Sequence, residues 1–136
     1  MGDHAGARKL ERAALALFGA LGGAYAVLGF VIPQRLAKEL LGHVLPPGGV
    51  LLHQMMAGMQ LGLAVVAIIA SRSPRPPRSL VRAVALGLTF TALGPLLAAI
   101  TQSVPWPELR AYQVILGFDL LVALVLTATQ LLRRAR

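Results

Sequence analysis

Residues Val50–Ala70 read VLLHQMMAGMQLGLAVVAIIA, and this stretch decides the fold. It contains no Asp, Glu, Lys or Arg. Its length matches the roughly 20 residues an α-helix needs to cross about 30 Å of hydrocarbon. A helix of a water-soluble bundle would carry a polar stripe along one side, and this segment has none. Three more segments share the character: Ala13–Ile32, Leu80–Ile100 and Ala111–Leu132. Backbone N–H and C=O groups cannot stay unpaired in lipid, so each is expected to be helical. The expected fold is therefore all-α: one domain over residues 1–136, built as an integral membrane, antiparallel four-helix transmembrane bundle.

Composition agrees. Apolar residues make up 57% of the chain and charged residues 13%, where a soluble domain runs near a quarter charged. The net charge of +8 comes from 13 Lys+Arg against 5 Asp+Glu. These charges sit between the apolar runs, which argues for a membrane protein and against a nucleic-acid partner. Cysteine is absent, excluding a disulfide scaffold, a thiolate metal site and a cysteine nucleophile. No G-x-S-x-G, P-loop or H-E-x-x-H pattern occurs, which weighs against an enzyme. Ala24-Tyr25-Ala26 imitates a signal-peptide cleavage site behind Arg8, Lys9 and Arg12. The apolar run continues past it to Ile32, so the segment reads as a retained helix.

Charge placement predicts orientation. With four spans, the N-terminus, the loop Ser71–Arg78 and the C-terminus share one side. That side holds Arg8, Lys9, Arg12, Arg72, Arg75, Arg78, Arg82, Arg133, Arg134 and Arg136, while the other holds Arg35, Lys38 and Arg110. Basic residues stay on the cytoplasmic face, so both termini are expected in the cytoplasm of a cell with the chain in its inner (plasma) membrane. Anionic membrane lipids are the expected contacts of these arginines. On the outer side, Pro33 can open a short helix whose Leu36, Leu40, Leu41 and Val44 share a face, suited to lying at the interface, with Gly42 as its stop. Trp106 and Tyr112 are expected interfacial anchors.

Close helix packing replaces the hydrophobic drive in lipid. Gly19 and Gly23, Gly58 and Gly62, and the run Ala83, Gly87, Thr91 offer small residues for it. Asp119 is the most informative polar residue, about 10 Å below the outer interface at 1.5 Å per residue. A carboxylate at depth is costly and is expected to face the interior with a partner. Gln60, Tyr25 and Thr91 lie at similar depth on the other spans, with His53 nearer the surface. Together they form a candidate polar layer. It either fixes helix register or binds a small polar headgroup, a quinone ring, a proton or a cation. His53 is also a candidate ligand for haem or a chlorophyll-type pigment, with His4 and His43 far from membrane depth. The neighbouring Met55, Met56 and Met59 read as packing residues rather than a copper set.

The run Leu28-Gly29-Phe30-Val31-Ile32-Pro33, the amphipathic Leu36…Leu40-Leu41-Gly42 and the span Ala57-Gly58-Met59-Gln60-Leu61-Gly62 resemble small bacterial membrane proteins of the DoxX-like group. Where those relatives carry an arginine early in span two, this chain has His53 and Gln54. The resemblance implies a four-helix accessory protein, some members of the group looking like subunits of membrane redox complexes. Two functions follow as expectations. One is a non-catalytic accessory or scaffold subunit of a larger membrane assembly, redox or photosynthetic, with other membrane subunits or a second copy as partners. The other is a stand-alone binder or carrier of a small hydrophobic molecule, lipid or quinone, through Asp119, Gln60, Tyr25, Thr91 and His53. A membrane enzyme acting on lipid or quinone ranks third, since it needs a second titratable group beside Asp119.

Overall fold

The computed structural model describes residues 3–42, 44–101 and 110–133. Among them the chain is entirely helical: α1 Asp3–Val31, α2 Pro33–Leu41, α3 Pro47–Arg72, α4 Arg78–Thr101 and α5 Arg110–Leu132. Three helical stretches are long and apolar enough to cross a membrane: Ala5–Val31, Pro47–Arg72 and Val114–Leu132. The expected segment Leu80–Ile100 falls inside α4. Trp106 and His43 lie outside the described residues, and Tyr112 belongs to the first turn of α5.

The four long helices pack in a ring, α1 against α3 and α5, and α4 against α3 and α5. Each neighbour runs antiparallel. Gly19 at the middle of α1 meets Ala64 and Ile68 in the second half of α3, and Gly29 near the end of α1 meets Ala57 and His53 in the first half of α3. A Cβ added at Gly19 would collide with Ile68 Cγ1 and stand 3.2 Å from the Ala64 carbonyl oxygen. Only glycine permits that approach, so the Gly19/Gly23 pair is the close-packing seam the sequence suggested.

The second glycine pair behaves differently. Gly58 sees only the Phe30 ring at ordinary contact distance, and nothing lies within 4 Å of a Cβ at Gly62. The inward face of α3 is instead Ala57, Gln60, Ala64, Ala67 and Ala70. Small Cβ atoms recurring every three or four positions do the packing there, which leaves the glycines free to point outward. On α4, Gly87 accepts the Leu63 side chain of α3, while Ala83 of the same expected stripe is exposed.

The largest fully buried side chains are Phe18, Leu15, Leu88 and Leu126, joined by Val81 and Val84. They gather toward the end where α1 begins and α5 finishes. Arg12 Nε donates to the Ser71 carbonyl at 2.9 Å and Arg78 Nη2 to the Arg133 carbonyl at 3.1 Å, so the start of α1, the 73–77 loop and the end of α5 share that end. Most described cations cluster there, as the charge count requires. The exterior of the ring is apolar, with Leu21, Met59, Phe90, Val114 and Leu124 all exposed.

At the opposite end, α2 starts at Pro33 and stops at Gly42, whose φ of 74° closes the helix with its N–H donating to the Lys38 carbonyl. That left-handed backbone is why a glycine stands there. The helix is not a free-lying interfacial segment. It touches α1, α3 and α5, burying Ala37 and half-burying Leu36 and Leu40, while Val44 of the expected apolar face is exposed. The Gln34 side chain anchors the following loop, donating to the Leu45 carbonyl at 2.9 Å and accepting the Leu45 N–H at 3.0 Å.

Candidate functional site

The expected polar residues occupy four different helices, and the structure treats them unequally. Asp119 on α5 is 2% exposed, and its buried Oδ1 has no hydrogen-bond partner among the described residues. Gln60 is buried on the inward face of α3, in register between Ala57 and Ala64. Tyr25 on α1 is half-buried. The Thr91 hydroxyl is within hydrogen-bond distance of the Gly87 and Leu88 carbonyls of its own helix, at 2.9 and 3.0 Å. Thr91 is therefore satisfied locally, a common state for a threonine inside a helix.

His53 is half-buried, and its Nε2 is sealed with no partner among the described residues. The ring nitrogen packs at Gly29, 3.2 Å from where a Cβ would stand, with Ala57 and Leu36 beside it. A haem or pigment metal needs an accessible imidazole lone pair. Nε2 lies against α1, so this nitrogen does not fit such a group. Two of the five residues thus carry unpartnered buried atoms, and the structure does not join Asp119 Oδ1 and His53 Nε2 into a hydrogen-bonded layer. Among the described residues, no group of three or more His, Cys, Asp or Glu is placed to hold a metal.

Asp119 is not the only acid taken out of water. Glu11 is fully buried on α1, facing the end of α5. Gln130 Nε2 donates to Glu11 Oε2 at 2.8 Å. Arg133 Nη1 donates to Glu11 Oε1 at 2.8 Å and to Oε2 at 3.1 Å. A buried carboxylate with a guanidinium and an amide on it is the arrangement that offsets desolvation. Gln130 Oε1 is left without a partner. The sequence signal was available. Glu11 is the lone acid inside Arg8-Lys9-Leu10-Glu11-Arg12, and Gln130 and Arg133 stand one helical turn apart. What hides it is distance along the chain, since 119 positions separate Glu11 from Gln130.

The fold and its buried groups thus define a helical protein with three apolar helices able to span a membrane. Comparison with protein-family models, with curated proteins and with solved structures gave no match.

Proposed function

We propose that the chain is a non-catalytic scaffold subunit of a larger membrane assembly: a four-span transmembrane bundle with both termini on the cytoplasmic side of the plasma membrane. The outward side chains of α4, among them Leu86, Phe90, Leu97 and Ile100, are as apolar as those of the other long helices, which supports a fourth span. The clustering of cations at the end where α1 begins and α5 finishes supports the orientation. The likeness to the DoxX-like group agrees with an accessory role.

One observation carries the scaffold reading. Gly62 stands on the outward face of α3 with no atom near its Cβ position, between Met59, which is 71% exposed, and the exposed Val65 and Ile69. A notch flanked by flexible and branched apolar side chains is the surface on which another transmembrane helix packs closely. Because the chain has no cysteine, Gly62→Cys gives a single thiol. Cross-linking in native membranes at position 62, and none at Leu86→Cys on α4, is the expected result. Equal labelling at both positions, with no adduct of higher mass, overturns the reading.

A second reading has its own observation. Asp119 Oδ1 is a buried acceptor without a donor among the described residues, and intramembrane ionisable groups mark ligand or proton sites. In that reading the outer half of the bundle binds a small hydrophobic molecule that carries a hydrogen-bond donor, a lipid or quinol. Asp119→Asn keeps the shape of the site and removes the carboxylate. Loss of a co-purifying lipid or quinone from that variant supports binding, and an unchanged extract rejects it.

A further inference from the structure

A cleft of about 250 Å³ lies between α4 and α5, on the outer side of the ring and toward its basic end. Ala85 is buried at this contact, and its small side chain leaves the room. The exposed Leu86 of α4 and Leu131 of α5 form apolar walls. Thr89 marks the inner limit on α4, and its hydroxyl already donates to the Ala85 carbonyl at 2.8 Å. From Arg82 to Thr89 the cleft follows α4 for two turns, about 10 Å at 1.5 Å per residue.

Its other end is polar. Arg78 and Arg133 meet through a hydrogen bond at the end of the ring. Arg82 stands one turn inward of Arg78 on α4, and Gln130 one turn inward of Arg133 on α5. Both line the cleft. Gln130 Nε2 is committed to Glu11, and its Oε1 has no partner among the described residues. The arginines nearby are engaged: Arg12, Arg78 and Arg133 each donate to an oxygen of the fold. Arg82 is exposed and has no hydrogen bond or ion pair among the described residues.

The cleft is thus a short apolar trough with one free cation at its mouth. A long arginine side chain lays its stem along such a wall and keeps its head at the polar boundary. We infer that the trough holds one acyl chain of an anionic phospholipid, with the lipid phosphodiester on Arg82. A transmembrane helix is about 10–12 Å across with its side chains, too wide to enter this space, whereas a hydrocarbon chain is narrow enough. One guanidinium matches one phosphodiester, whose two unbridged oxygens suit its parallel fork and whose single charge it neutralises. Lipid contact spread over every cation of this end is what charge placement alone implies. The trough concentrates it at Arg82. The inference rests on the reading that α4 and α5 cross the membrane, since the bilayer then faces the cleft.

The test uses the full chain in uncharged detergent, with retained lipid read by native mass spectrometry. Dioleoyl phosphatidylglycerol, dioleoyl phosphatidylcholine and oleate compete at equal concentration. Phosphatidylglycerol is expected to be retained over both. Arg82→Gln should cut that retention about fivefold. Leu86→Trp fills the trough without removing the charge and should cut it as well. Arg72→Gln, an exposed arginine outside the cleft, leaves it unchanged. Arg82 and Leu86 are both exposed, so these variants should melt like the parent chain. Equal retention of phosphatidylglycerol and phosphatidylcholine, preference for oleate, an Arg82→Gln protein that binds as Arg72→Gln does, or parental binding by Leu86→Trp overturns the proposal. The span is checked separately. Phe90→Cys, on the exposed side of α4, should resist a charged maleimide in opened membranes. Labelling there removes the fourth span and the proposal with it, while a protected thiol without lipid preference removes the lipid site alone.

Discussion

The two halves of the helical ring solve the problem of a buried acid in opposite ways. Toward the basic end, Leu15, Phe18, Leu88 and Leu126 pack a core of large side chains, and Glu11 beside it takes hydrogen bonds from both Gln130 and Arg133. Toward the other end, the buried described residues are small, Ala26, Ala57 and Ala92 among them, and Asp119 has an oxygen with no partner. Burial alone does not separate the two acids, since both are almost fully covered. What separates them is reach. Arg133 stands just past the last turn of α5, where a long cationic side chain can keep its head near water and still touch Glu11. Asp119 lies well inside α5, where no described cation reaches.

The comparison can be broken most forcefully at Arg133. Arg133→Leu leaves Glu11 buried without its counter-ion, and the expected loss is about 3–5 kcal/mol. Denaturant titration in detergent measures it, and adding Glu11→Leu to the same chain should recover most of the loss. A Glu11→Leu, Arg133→Leu protein no more stable than Arg133→Leu alone would show that the ion pair is not the source of the effect.

The next test concerns the seam that both halves share. Gly19→Leu forces a side chain into Ile68 and the Ala64 backbone, and should cost about 1–3 kcal/mol through overpacking. A melting curve indistinguishable from the parent would mean that α1 and α3 are further apart than the glycine contact requires.

At Asp119 the expected sign reverses. An unpartnered buried polar group costs about 1–3 kcal/mol, so Asp119→Leu should stabilise the chain by up to that amount in the same titration. Destabilisation would reveal a partner for the carboxylate and make the two halves alike. The smallest effect belongs to Gly62. Its Cβ position is open, so Gly62→Ala should gain about 0.5–1 kcal/mol of helix stability in isolated protein. The same substitution should weaken any cross-linked assembly at that face, and a gain in both would separate Gly62 from partner packing.

Much of this arrangement was legible in the residues. Apolar runs of membrane-spanning length mark α3 and α5 and most of α1, and Pro33 and Gly42 mark the ends of α2, because these signals depend on local backbone chemistry. The Gly19/Gly23 seam was readable as a candidate. That Gly58/Gly62 faces outward was not, because spacing alone does not tell which side of a helix meets its neighbours. The candidate site was legible as a set of residue types at similar depth. Within that set, the Thr91 hydroxyl bonds to its own helix, and the His53 Nε2 packs against Gly29 of α1, which no spacing in the sequence foretells.

The sequence by itself determined that helices long and apolar enough to cross a membrane form, and that their two ends are unevenly charged, since hydropathy, length and Lys/Arg placement are additive along a chain. Tertiary structure alone decided which polar atoms find partners. Glu11 and Arg133 are separated by nearly the whole chain, and only antiparallel packing of α1 on α5 brings them to 2.8 Å. The same packing leaves Asp119 Oδ1 without a partner among the described residues, because a hydrogen bond requires a donor at one distance and direction, and no linear pattern specifies either.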